Sequence, residues 1–140
     1  MGEKVDVRVR ILREAISRIE AIGRLPYSQF TKDPFILPAA ERSFHVAIEA
    51  LIDLGNILIS ELKLRTPDTY VDIFKILGEA GVLPSELVDE AISMVKFRNL
   101  LVHGYSRIDP SEIYHYSKEK PEVMKLIGKK LLEKLLSLGY

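Results

Sequence analysis

One stretch of the chain joins a titratable base to a permanent cation: Lys96-Phe97-Arg98-Asn99-Leu100-Leu101-Val102-His103-Gly104-Tyr105. A histidine can withdraw the proton of a ribose 2′-hydroxyl or protonate a leaving oxygen. An arginine can fork onto a phosphate and stabilise its developing charge. Together they could cleave an RNA phosphodiester without a metal ion. Arg98 and His103 are five residues apart, about 140° in projection on an ideal helix, so they do not stack on one face. Asn99 and His103, four apart, do share a face, and the long Arg98 side chain can reach the same cleft from its flank. Asn99 could orient the imidazole or bind phosphate. The spacing is equally met by a solvated Arg98 and a His103 that caps the end of a helix.

Composition narrows the field. The 140 residues suit one domain, here 1–140, and 47% are hydrophobic, enough for a core. Twenty basic side chains balance twenty acidic ones. Any nucleic-acid role must therefore use a local basic patch, since a non-specific coat protein carries a large basic excess. No cysteine is present, which excludes disulfides, thiolate chemistry and zinc–thiolate sites. No two histidines have metal-ligand spacing, so neither a metal nor another cofactor is expected. The first ten residues are charged and lack an apolar signal core, and the apolar runs fall short of the ~20 residues of a membrane span. The expectation is a soluble cytoplasmic protein.

Five helical segments must position the Arg98–His103 pair, and nothing alternates with period two. The first runs from about Val5 to Gly23, with Val5, Val9, Leu12, Ile16 and Ile19 on one stripe. Pro26, Pro34 and Pro38 mark 27–38 as a loop. The second helix, about Ala39 to Leu64, is apolar over most of its circumference and carries one polar stripe, Glu49, Asp53, Asn56 and Ser60. The third runs from about Thr69 to Leu77. The fourth starts at Pro84-Ser85, with Ser85 as the expected N-cap, and runs to about His103, followed by Gly104 as a left-handed terminator. The fifth begins with Asp109 as cap and Pro110 in the first turn; Pro121 kinks or restarts it. Val123, Ile127, Leu131 and Leu135 then form a buried stripe. The predicted fold is all-α, an antiparallel up-and-down bundle of about five helices. Its apolar second helix calls for a partner, most simply a second copy of the chain.

The 98–105 stretch resembles the signature of the HEPN superfamily, an Arg followed by a polar residue and, four to six residues on, a His. It is most similar to the HepT-like branch, whose usual form Arg-Asn-x-Leu-Val-His-x-Tyr is matched by Arg98, Asn99, Leu101, Val102, His103 and Tyr105. Glu41-Arg42, Asp53-Leu54-Gly55-Asn56, Pro67 to Tyr70 and Arg107-Ile108-Asp109 look like that branch too. The resemblance implies an endoribonuclease toxin of a type VII-like toxin–antitoxin pair. Arg98 would bind phosphate, His103 act as general acid/base and Asn99 support the geometry. It also implies a homodimer whose two Arg/His sets share a cleft, and a nucleotidyltransferase antitoxin that adenylylates Tyr105. Phosphates placed two residues from His103 would occupy the cation site and exclude RNA. An alternative within the same superfamily is a non-catalytic module that binds a nucleotide or holds a nucleotidyltransferase.

Other residues carry two readings each. The stripe of Glu49, Asp53, Asn56 and Ser60 lines a cleft near the motif or faces solvent. Arg42 and Arg107 add RNA contacts or are ordinary surface arginines. Tyr105 is a modification target or a packing residue. His45 reads as a partly buried core or interface residue, and His115, between Tyr114 and Tyr116, as an exposed one that could stack on a base.

Overall fold

The computed structural model describes residues 2–103 and 108–140. Among them are six α-helices and no strand: α1 (Glu3–Gly23), α2 (Tyr27–Lys32), α3 (Ile36–Glu61), α4 (Tyr70–Glu79), α5 (Ser85–His103) and α6 (Pro110–Ser137). The all-α class holds, with one helix more than the periodicity predicts.

The extra helix is α2, in the segment expected to be a loop. Its six residues are too few to show an apolar period. The Pro26 carbonyl accepts from Gln29 and Phe30 N–H, both at 3.0 Å, so a proline at the boundary starts the turn. Phe30 is then buried beside Tyr27 and Tyr114, and the Tyr114 hydroxyl donates to the Leu25 carbonyl at 2.6 Å. Pro38 does not delay α3 either. It lies in the first turn, where its missing N–H would have had no helical partner. At the other end of α3, Lys63 takes a left-handed conformation (φ 54°) that turns the chain toward α4.

Other boundaries follow from caps. The Thr69 hydroxyl accepts from Asp72 N–H at 3.1 Å and opens α4. The Pro84 carbonyl accepts from Leu87 and Val88 N–H, so Pro84 occupies the cap of α5 and Ser85, expected there, is the first helical residue. Asp109 does cap α6, accepting from Ser111 N–H at 2.9 Å, with Pro110 in the first turn. Pro121 neither ends nor restarts α6, which is continuous through it.

The helix α3 is the centre of the bundle, in contact with α1, α2, α4, α5 and α6. Phe44, Ala47, Ile48, Leu51, Ile52, Leu54 and Leu58 are all buried, each large aliphatic contributing about 1.5–3 kcal/mol by leaving water. This accounts for its apolar circumference within the chain itself, without the second copy the sequence reading invoked. By length and composition α3 is apolar enough to cross a membrane, contrary to the run-length expectation, but 61% of its apolar window is buried against its neighbours. Around it the chain runs up and down. Leu12 faces Gly128 and Gly23 faces Ser117, so α1 and α6 are antiparallel. Glu90 pairs with Lys120 and Phe97 with Tyr116, so α5 and α6 are too.

Candidate active site

The roll of α5 is set by Phe97. Its ring packs edge-on against Phe44 of α3 and Tyr116 of α6, with centroids 5.3 and 5.1 Å away. With Phe97 locked inward, Arg98 turns toward the polar stripe of α3. There its Nε and Nη2 donate to Glu49 Oε1 at 2.8 and 2.5 Å, and its Nη1 donates to Asn99 Oδ1 at 3.0 Å. The guanidinium carbon stands 5.1 Å from the centroid of the Tyr70 ring. Only 16% of the Arg98 side chain is exposed.

Tyr70 is held in place by the start of α4. Arg65 forks onto Asp72 through two 3.0 Å hydrogen bonds and also reaches Glu79. The Arg65 guanidinium, with help from the Asp68 N–H, keeps the Asp72 carboxyl below its ordinary range. The loop before α4 is thereby tied to the helix, and the first residue of α4, Tyr70, is carried to Arg98.

Glu49 has a third partner. His45 Nε2 lies 3.2 Å from the same Oε1, and Arg42 Nη1 approaches His45 Nδ1 at 3.5 Å, the outer limit of a hydrogen bond. Both contacts are met by a neutral imidazole with its proton on Nε2. One turn along α3, Asp53 accepts from Arg8 Nε at 3.2 Å and ties α1 to the stripe. Arg8, Arg42, His45, Glu49 and Asp53 line one open groove of about 430 Å³ between α1 and α3.

Of the residues singled out in the sequence, Arg98 and Asn99 are thus in direct contact. Arg42 and Asp53 line the groove behind them, and Arg42 reaches Arg98 only through His45 and Glu49. His103 is the last residue of α5 and is exposed, one turn beyond Asn99. Tyr105 and Arg107, with the expected terminator Gly104, lie outside the described residues. His45 is partly buried, as expected, but bound to Glu49 and Arg42 rather than packed in the core. His115 is exposed and pairs with Glu119. The sequence reading missed that Glu49 is the partner of Arg98 and that Tyr70 backs it. A carboxylate stripe on an apolar helix was the signal for the first; Tyr70 has no signal, because contact across a loop leaves no periodicity. Among the described residues no group of three His, Asp or Glu side chains is placed to hold a metal ion.

The model of the family described as ribonuclease HepT-like matches residues 12–131, which spans α1 to α6 and includes Arg98, Asn99 and His103. The chain belongs to the HepT-like ribonuclease family. Membership places it among the endoribonucleases. Relatives agree. The chain is 34% identical over 80 residues to the putative RNase YutE of Bacillus subtilis, a match covering 57% of this chain and only 56% of that one. The solved structure of YutE, described as a cytosolic protein, aligns with a TM-score of 0.82 at 22% identity over 96% of this chain and 90% of YutE. The tRNA nuclease HepT of Aphanizomenon flos-aquae is 28% identical over 108 residues, 70% of this chain and 74% of that protein. A tri-AMPylated HEPN toxin of Shewanella oneidensis, solved in complex with its MNT antitoxin, has the same fold. Its TM-score is 0.87 at 22% identity, over 95% of this chain and 99% of that one.

Within this family's fold, the HepT-like motif sits at the exposed end of α5, beside a carboxylate-lined groove. The Arg98 side chain is mostly buried and His103 is exposed.

Proposed function

We propose that this protein is a single-domain, metal-independent endoribonuclease toxin in which Arg98 grips the phosphate, His103 transfers the proton and Asn99 steadies Arg98. The observation that carries this reading is the mostly buried Arg98 guanidinium, bonded to Asn99 on the helix that ends at His103. The first step would be attack of a ribose 2′-oxygen on the adjacent phosphorus as its proton passes to a base. The 5′-oxygen then leaves as a hydroxyl, taking up a proton delivered by His103, with a 2′,3′-cyclic phosphate on the upstream fragment. Arg98 offsets the charge gained by the non-bridging oxygens. Arg42 and Asp53, on the groove, and Arg107 supply further contacts to RNA.

The proposal extends to regulation and assembly. The Shewanella oneidensis relative is a modified toxin held by its antitoxin, which supports a nucleotidyltransferase partner here and adenylylation of Tyr105 as the off-switch. We further propose that the chain works in the cytoplasm as a homodimer. Purified wild-type protein is expected to cleave RNA with EDTA present, and His103→Ala to be slower by roughly 10²–10⁴-fold, the usual worth of a positioned general acid or base. Equal cleavage by the two would end this mechanism. Intact-mass measurement after co-expression with the partner is expected to show added adenylyl mass that Tyr105→Phe removes.

A further inference from the structure

We infer that Glu49 is a positioning residue for this reaction: its carboxylate, steadied by His45, holds Arg98 by one edge and leaves the rest of the guanidinium to the phosphate. The inference rests on the reading of Arg98 as the phosphate-binding group. A guanidinium has five N–H donors. Three are engaged here, Nε and Nη2 by Glu49 and Nη1 by Asn99, and each Nη nitrogen carries a second N–H. Those two remaining donors can serve an anion. Glu49 therefore orients the cation without filling it.

Three observations set this apart from an ordinary surface ion pair. The Arg98 side chain is mostly buried, so the pair is poorly screened by solvent. The guanidinium carbon stands over the Tyr70 ring, which further restricts the side chain. The carboxylate is itself held, since His45 Nε2 meets the same Oε1, and that imidazole is met in turn by Arg42. A free arginine must lose its rotamer freedom when phosphate binds; this one has lost it already, which is what preorganisation means for a transition-state contact. Arg42 and Arg8 at the same groove balance part of the negative charge that Glu49 and Asp53 would present to RNA.

The test uses the full chain, with single-turnover cleavage of total cellular RNA at enzyme excess. Glu49→Ala is expected to slow the reaction by roughly 10- to 100-fold, the range for a displaced catalytic group. Glu49→Gln keeps the shape and an accepting oxygen and is expected to recover most of that loss. In an Arg98→Ala background, Glu49→Ala is expected to cost less than about twofold, because a residue acting only through Arg98 has nothing left to position. A second readout is free of catalysis. The Arg98 Nε–H resonance, identified by its disappearance in Arg98→Lys, is expected to exchange slowly with water in the wild type and quickly in Glu49→Ala. Wild-type rates in Glu49→Ala alongside an inactive Arg98→Ala would overturn the inference and leave the Arg98 reading standing. So would equal losses in both backgrounds, or slow exchange that survives Glu49→Ala. Full activity in Arg98→Ala would overturn both.

Discussion

At the scale of single residues, the motif divides by what each side chain can be seen to hold. Spacing offers Asn99 to the imidazole or to phosphate; its side-chain oxygen accepts from Arg98 Nη1. A hydrogen bond to a charged group is worth about 1.5–3 kcal/mol, so Asn99→Ala is expected to lower the single-turnover cleavage rate by at least roughly tenfold. Tyr70→Leu keeps the bulk and removes the ring. A cation over an aromatic face at a partly exposed site contributes about 0.5–1 kcal/mol, and the same assay is expected to show a loss of no more than about fivefold. A larger loss than that of Asn99→Ala would mean that Tyr70 touches RNA itself. Arg98, Asn99 and His103 were legible because they are local to one helix. Glu49 was legible only as a polar position, since its partner is 49 residues away.

At the scale of elements, the proline in α6 explains a glycine in α1. Pro121 has no N–H to offer the Ser117 carbonyl one turn back, so that carbonyl leaves the helical ladder. Gly23 packs directly on it; a Cβ there would sit 2.5 Å from the Ser117 oxygen and 2.8 Å from its carbon. Neither is the tip of a flexible side chain, so the helices would have to part. Gly23→Ala is expected to destabilise the fold by about 1–3 kcal/mol, seen as a lower urea midpoint with little change in slope; an unchanged midpoint would refute the close-packing account. Two helix starts carry a pH signature. Asp109 takes the Ser111 N–H and Asp72 takes Arg65, and both carboxyls are held below their ordinary range. A depressed folded-state pKa adds stability that is complete above the unfolded value, near 4, and fades as pH falls through the folded one. Asp72→Asn and Asp109→Asn are therefore expected to lower the melting temperature at pH 7. Their gap from the wild type should narrow on acidification below about pH 4.

At the scale of the whole molecule, the formal net charge of zero leaves RNA binding to a few local cations. Neutralising Z phosphates of single-stranded RNA gives a salt slope near −0.7Z. With two or three contacts, from Arg98, Arg42 and a neighbour, the logarithm of affinity is expected to fall with the logarithm of salt at a slope of about −1 to −2. Fluorescence anisotropy on the catalytically silenced His103→Ala variant measures it, and a slope steeper than about −5 would point to a broad basic surface that the charge balance argues against.

The sequence by itself determined the helical class, the capped start of α6, the end of α5 at His103 and the Arg-Asn-x3-His motif. Each is written in neighbours within a turn or two, where periodicity, caps and side-chain chemistry are local. It misread the stretch around α2, because six residues are too short for a period and prolines at helix starts look like breaks. It read the greasy girdle of α3 as a call for a second copy, because apolar residues reveal that they must be covered and not by what. Only the tertiary structure decided that the cover is the chain's own helices. Only it decided that Arg98 is clasped by Glu49 and backed by Tyr70, since those contacts join three helices that no local pattern connects.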